Sequence, residues 1–333
     1  MVTMRDVAKK AGVSSATVSH VINGTRYVSD SVREKVLMAM DETGYRPNVL
    51  ARSLRMGKTN TIGLILPDSS NPFFAEIGQA IEGAAFEQSF NIILCNTDND
   101  IEKEYLYLDI LSKKQVDGII FVATGDSPNS LHLLEKHRMP FVLVDREVKD
   151  FSSNTVVTDN YQGGLIATEH AIELGHTNIA FITGPSNVTP SAQRKLGYYD
   201  ALKNNGIQYR DELSYKGDFH PESGRLAAHH FLGTKNPPTA IIASNDLEAI
   251  GVIRGVYECG KRVPEDITVI GFDNIELSSY VTPRLTTIDQ PKIKIAESAM
   301  KLLINTISKD GEDSPKVCLK TSLVIRESSG VCK

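Results

Sequence analysis

From Thr61 onward the chain repeats one pattern, a short continuous apolar run followed by a helix-length amphipathic stretch. Ile62-Gly-Leu-Ile-Leu66, Ile92-Ile-Leu-Cys95, Gly118-Ile-Ile-Phe-Val122 and Phe141-Val-Leu-Val144 form a first series. Ile179-Ala-Phe-Ile-Thr183, Ala240-Ile-Ile-Ala243 and Thr268-Val-Ile-Gly-Phe272 form a second, which alternates with predicted helices at about 190–205, 220–232 and 245–259. Runs that are continuous instead of alternating imply strands covered on both faces, hence parallel sheets built from βαβ units. Because the series restarts, the expected fold is α/β with two lobes, each a doubly wound parallel sheet. Ligands of such sheets bind at the carboxyl ends of the strands.

The residues just past those ends are therefore the candidate ligand shell. Asn71, Phe73 and Phe74 follow the first run, and Asp145 and Arg146 follow the fourth. In the second series come Arg194, then Phe219 after a predicted edge strand, Asn245 after Ala243, and Asp273 after Phe272; Gln290 lies in a predicted crossover between lobes. Two aspartates, two arginines, amides and three phenylalanines suit a sugar. Each hydroxyl is both donor and acceptor and is best held by charged partners, while aromatic rings cover the apolar C–H faces. The same set suits a phosphate poorly, since two aspartates repel an anion. Gly57-Lys58-Thr59 ends like a phosphate-binding loop, but Arg52 stands where that motif needs its first glycine and no strand precedes it. Each residue also has a plainer role open to it: Asp145 and Asp273 as helix caps, Arg194 as a helix-surface charge, Phe74 as core.

The first 59 residues differ in kind. Residues 1–58 hold ten Lys and Arg against five Asp and Glu, a net of +5, whereas the whole chain carries −5. A basic end on an acidic body points to nucleic acid at that end only. Thr3 is placed to cap a helix with Asp6 in its first turn, Gly12 permits a bend, and Ser14 caps a second helix. Val7, Ala8, Ala11, Val13, Val18 and Val21 fall inward, leaving Ser15, Ala16, Thr17, Ser19 and His20 outward. That is a helix-turn-helix, whose second helix enters the major groove; a third amphipathic helix from Ser31, with Val32, Val36 and Ala39 or Met40 inward, covers the pair. Asn23 and Arg26, with Thr3 and Ser14, complete the candidate contacts. Asn48 can cap a further helix of about eight residues, too short to be stable alone in water. Leu50 and Leu54 share one face of it beside Arg52 and Arg55, an apolar wedge with cations of the kind that opens a base step in the minor groove.

The motifs VSxxTVSxVIN, GYRPN and ARSL in the first 59 residues resemble the headpiece and hinge helix of the LacI-type repressor family. The resemblance runs through essentially all 333 residues. It implies that Ser15, Ala16 and His20 read a half-site of palindromic operator DNA and that Leu54 enters its central base step. In the body, NPFF at 71–74, DR at 145–146, RKLGY at 194–198, DF at 218–219, ND at 245–246, GFD at 271–273 and DQP at 289–291 resemble the ligand shell of ribose-binding proteins and ribose-responsive repressors of this family. Purine-responsive members imply an arginine and a threonine where this chain has Val188 and Pro190, which weighs against a purine co-repressor. The implied organisation is a helix-turn-helix headpiece at 1–46, a hinge helix and linker at 47–59, and a periplasmic-binding-protein-like body at 60–333. Its N-terminal lobe is expected at about 60–160 plus 292–320 and its C-terminal lobe at about 161–291 plus 321–333. The expected protein is a homodimeric allosteric repressor with a small sugar, ribose first, as inducer. Its alternatives are a co-repressor mode and a catabolite-control mode worked by a phosphorylated carrier protein.

Other classes fit less well. Four cysteines show no paired spacing, no apolar run reaches the ~20 residues that span a bilayer, and the N-terminus lacks a signal-peptide core, so a cytoplasmic protein with free thiols is expected. No serine nucleophile elbow and no histidine pair with metal spacing occurs, and the carboxylate pair Asp145 and Asp273 in a cleft closing on a free sugar has no leaving group to expel. Neither catalysis, a metal nor a cofactor is expected, and the absence of a leucine heptad after Arg326 argues against a tetramer-forming tail.

Overall fold

A computed structural model describes residues 2–46, 58–125, 128–148, 151–186, 188–308 and 315–333. The chain divides into two compact units, residues 1–59 and 60–333. The first unit holds α1 (Met4–Ala11), α2 (Ser15–Asn23) and α3 (Asp30–Thr43). The Asp6 carboxylate accepts both the Thr3 amide at 2.8 Å and the Thr3 hydroxyl at 2.7 Å, and these bonds hold its pKa below the usual carboxylate range. The Ser14 hydroxyl accepts the Thr17 amide at 3.1 Å, and Gly12 takes the left-handed conformation (φ 67°) that turns the chain between the two helices. Val7, Ala8, Val18, Val21, Val36 and Ala39 form the small core, with Met4, Ala11, Val13 and Met40 packed against it.

The second unit contains two six-stranded sheets. The first runs β11–β5–β4–β3–β1–β2 and is parallel throughout, from β1 (Thr61–Leu66), β2 (Asn91–Asn96), β3 (Gly118–Phe121), β4 (Phe141–Val144), β5 (Thr155–Thr158) and β11 (Lys316–Leu319). The second runs β12–β10–β9–β8–β6–β7, from β6 (Ile179–Thr183), β7 (Ser214–Lys216), β8 (Ala240–Ala243), β9 (Thr268–Asp273), β10 (Thr286–Asp289) and β12 (Ser322–Val324). Only the β10–β12 pairing in it is antiparallel. In each sheet the first strand of its series lies inside the second, which makes the switch point where such folds open a crevice.

The helices are α4 (Pro72–Glu87), α5 (Ile101–Lys113), α6 (Asn129–Lys136), α7 (Asn160–Glu173), α8 (Thr189–Asn204), α9 (Pro221–Leu232), α10 (Asp246–Glu258) and α11 (Lys292–Ser308). All seven apolar runs read from the sequence are strands. Five further strands, β5, β7, β10, β11 and β12, lack that signature, β7 being the edge strand expected before Phe219, and β11 and β12 return the C-terminal segment to one sheet and then the other. One run departs from expectation: β2 is an edge strand whose Ile93 and Leu94 are 36% and 54% exposed, so one of its faces is not covered by its own chain.

Glycines set the closest helix contacts. A Cβ on Gly251 of α10 would lie 1.8 Å from the Pro221 carbonyl oxygen of α9. Gly251→Ala therefore forces the pair apart and is expected to lower stability by about 1–3 kcal/mol, measured as the shift in the urea unfolding midpoint. An unchanged midpoint would contradict this packing.

Candidate functional site

Nine of the ten candidate ligand residues, Asn71, Phe73, Phe74, Asp145, Arg146, Arg194, Phe219, Asn245 and Asp273, line one cavity of about 300 Å³ at the carboxyl ends of the two sheets, together with Val188 and Pro190. It adjoins a wider cavity lined by Asp68, Asn99, Thr124, Asp218 and His220 among others. Asn71 and Asn245 serve twice, since their side chains cap α4 and α10 through the Phe73 amide (3.0 Å) and the Glu248 amide (2.8 Å). Phe74 both lines the cavity and packs in the hydrophobic core, so its plainer role holds as well. Asp145 and Asp273 cap no helix, and Arg194 is 4% exposed, which removes their plainer roles.

The charges are arranged for a third party. Arg146 Nε lies 3.5 Å from Asp145 Oδ2 and Arg194 Nη1 lies 3.6 Å from Asp273 Oδ1, beyond the 2.7–2.9 Å of a charge-assisted hydrogen bond. Arg146 Nε is buried without a hydrogen-bond partner. Both arginines are anchored by neighbouring acceptors, Arg146 through Nη1 and Arg194 through Nε and Nη1. Arg146 Nη1 donates to the Ala123 carbonyl at 2.7 Å; Arg194 donates from Nε to Asn160 Oδ1 at 2.8 Å and from Nη1 to the Ser244 carbonyl at 2.5 Å, with its guanidinium 3.7 Å from the Phe272 ring centroid. Lone pairs and N–H groups therefore remain available to a polyhydroxy ligand, inside a cavity whose formal charges cancel. Burial raises the Asp145 carboxyl, opposed by Arg146 and Arg194, and pushes Asp273 up to about 7, opposed chiefly by Arg194. Burial likewise lowers both guanidinium groups.

Gln290 is the exception among the ten. It does not line the cavity but stands behind Asp273, donating to Asp273 Oδ1 at 2.7 Å and accepting the Thr158 hydroxyl at 2.5 Å, which ties the crossover to β5. Sequence reading also passed over Asn160 and Glu104. The Glu104 carboxylate, 1% exposed, accepts the Thr124 amide (2.6 Å) and Ser130 hydroxyl (2.5 Å), fixing the loop whose carbonyls hold Arg146. A polar residue on a helix carries no sign in the sequence that it faces inward.

In the first unit, Thr3, Ser14, Ser15, Ala16 and Arg26 are exposed, and Thr17, Ser19, His20 and Asn23 are half-buried. Several already hold local bonds: Ser14 with Thr17, His20 Nδ1 with the Thr25 hydroxyl (2.9 Å), and Asn23 Nδ2 with the Ser19 carbonyl (2.8 Å). Leu54 and Arg55 lie outside the described residues.

A three-helix unit with a helix-turn-helix, followed by a two-lobed body with a polar cleft at the strand ends, defines a ligand-regulated DNA-binding protein. Residues 3–48 match the bacterial regulatory proteins of the lacI family, and residues 59–327 match the periplasmic binding proteins and sugar binding domain of the LacI family. The chain belongs to the LacI family, a DNA-binding transcriptional repressor with a sugar-binding domain and not an enzyme. It is 41% identical to the HTH-type transcriptional repressor PurR of Erwinia tasmaniensis, covering 98% of this chain and 97% of that protein. It is 39% identical to the ribose operon repressor of Escherichia coli K12, covering 99% and 100%. Among solved structures it resembles a lac repressor dimer bound to operator and an anti-inducer (TM-score 0.89, 29% identity, 99% of each chain). It also resembles a LacI family regulator from Enterococcus faecium with bound ribose (TM-score 0.75, 32% identity, 82% of this chain and 100% of that one). Among the described residues no helix is long and apolar enough to cross a membrane, and no cluster of His, Cys, Asp and Glu could hold a metal ion.

Arg194 depends on Asn160. Asn160→Ala leaves the buried Arg194 Nε–H without its acceptor and should lower stability by about 1–3 kcal/mol, read as a shift in the urea unfolding midpoint. Unaltered stability would show that the bond contributes nothing.

Proposed function

We propose that this repressor is controlled by ribose or a closely related sugar, bound between the two lobes of the body and acting as inducer. The observation that carries this reading is the pair of buried Asp–Arg couples held at 3.5 and 3.6 Å and walled by Phe73, Phe74 and Phe219. Such a cleft offers donors and acceptors side by side, which a ring of hydroxyls requires and an anion does not. Structural relatives with bound ribose at 32% identity support the choice of sugar. A heterocyclic base is less well served, because Val188 and Pro190 present no side-chain donor or acceptor to a base edge.

The headpiece (1–46) reads palindromic operator DNA through α2. The hinge segment (47–59) places Leu54 and Arg55 in the minor groove, and the body (60–333) senses sugar and dimerises. The uncovered apolar surface at Phe86, Ile93, Leu94 and Leu106 supports a second copy as partner, as does the dimeric state of the lac repressor relative. Sugar closes the lobes and separates two hinge helices that are each too short to persist alone. A coupling of ~1 to 3 kcal/mol changes operator affinity ~5- to 150-fold.

Isothermal calorimetry of the full chain with ribose, other pentoses and hexoses is the direct test; no heat with any of them would sink the proposal. If ribose binds, Asp273→Asn should weaken it about 10- to 100-fold, since a charged acceptor is lost from a buried site. The pH dependence has a definite sign. Sugar hydroxyls donate to the ionised carboxylate, so Asp273, at about 7 in the empty protein, is lowered in the complex. Binding near pH 7 should therefore release protons, and affinity should fall as pH drops from 7.5 to 6. Equal heats in buffers of different ionisation enthalpy would contradict this. For the DNA half, Leu54→Ala should weaken operator binding while leaving the ribose isotherm unaltered. Undiminished operator affinity would remove the wedge.

A further inference from the structure

Glu248 is fully buried on α10, its Oε2 has no hydrogen-bond partner, and the site described above does not use it. The spacing of Asn245, the N-cap of α10, to Glu248 is that of a capping box, in which the acid returns to the N-cap amide. Only half of that box forms. Asn245 Oδ1 accepts the Glu248 amide, but Glu248 Oε1 leaves its own helix and accepts the Phe219 amide at 2.9 Å and the Ser223 hydroxyl at 3.3 Å. From the same helical turn, Asn245 Nδ2 donates to the Phe219 carbonyl at 3.0 Å. One turn of α10 thus grips both ends of Phe219.

Phe219 needs such a grip. Its φ is 71°, a left-handed conformation that a bulky residue adopts only when its surroundings impose it. The surroundings are shaped to match: a Cβ on Gly184 would fall 2.2 Å from the Phe219 ring, and a Cβ on Gly217 would fall 2.0 Å from Glu248 Oε1. Both glycines leave room for this ring and this carboxyl.

We propose that Glu248 is a positioning residue for the aromatic wall of the cleft: by holding the Phe219 amide it sets where the ring stands, and its charge sets how firmly. Burial pushes the carboxyl up to about 8, opposed by the Phe219 amide and the Ser223 hydroxyl. The groups that face it are Asp218 on the Phe219 loop, whose charge raises it further while its backbone amide lowers it, the Ser223 hydroxyl of α9, and Arg194 of α8, whose guanidinium senses the Glu248 charge. The positive N-terminal end of α10 favours the ionised form. An ionised carboxylate is the stronger acceptor, so the ring is held more tightly above pH 8 than below it. The consequence for sugar affinity rests on the sugar reading given above; the placement of Phe219 does not.

The test uses the full chain with phenylalanines replaced by 4-fluorophenylalanine, the Phe219 fluorine resonance being assigned from Phe219→Leu. Without sugar, that resonance should titrate with a midpoint near 8 in the native protein and not in Glu248→Gln, which mimics the neutral acid at every pH. Glu248→Leu should move or broaden it at all pH values. Ribose affinity at pH 7 should fall about tenfold in Glu248→Leu, the order of one aromatic contact, and recover to within about twofold in Glu248→Gln. A Phe219 resonance unaffected by Glu248→Leu, or one that titrates equally in Glu248→Gln, overturns the proposal. Should the native protein bind no sugar while its Phe219 resonance titrates as described, the sugar reading falls and the positioning role stands.

Discussion

Everything in the cleft depends on keeping four charges dry. Taking a carboxylate or guanidinium out of water costs several kcal/mol even after relaxation, and mutual attraction offsets that only when remaining donors and acceptors are matched. Here the matching comes from neighbours: Asn160, the Ser244 and Ala123 carbonyls and Gln290 hold Arg194, Arg146 and Asp273, while the two Asp–Arg contacts themselves stay at 3.5 and 3.6 Å.

That requirement explains why two lobes are needed. Asp145 and Arg146 arrive from the end of β4 in one sheet, and Asp273 and Arg194 from β9 and α8 in the other, so the charges are fully enclosed only where both sets of strand ends face the same space. The chain crosses between sheets after β5, after β10 and between β11 and β12, and Gln290 sits on one of these crossings with a bond to each side. Glu76 of α4 makes a further tie, accepting the Glu276 amide at 2.8 Å and pairing with Lys292 at 3.2 Å, while Lys292 holds the carbonyls of Asp273 and Asn274.

Much of this was legible in residue order. Continuous apolar runs located the central strands because a strand covered on both faces has no polar side to show. The headpiece was readable because small helices advertise their caps, in Thr3, Asp6 and Ser14, and their inward valines. Nine of the ten candidate ligand residues share the cavity because strand ends in this topology converge. β5 and β10 escaped notice because Thr155-Val-Val-Thr158 and Thr286-Thr-Ile-Asp289 are strands by virtue of their neighbours, not of their own hydrophobicity. Asn160, Glu104 and Glu248 escaped because a polar residue within a helix reads as solvated until the helix is docked.

The sequence by itself determined the two α/β series, the basic helix-turn-helix unit and the chemical kind of ligand shell, since all three rest on local periodicity, capping and composition. Only the tertiary structure decided which face of each helix is buried, that Gln290 braces Asp273 instead of lining the cavity, that β2 leaves an apolar face uncovered, and that Glu248 grips Phe219. Those outcomes rest on contacts between residues far apart in the chain, whose desolvation and hydrogen bonding exist only once the sheets have brought them together.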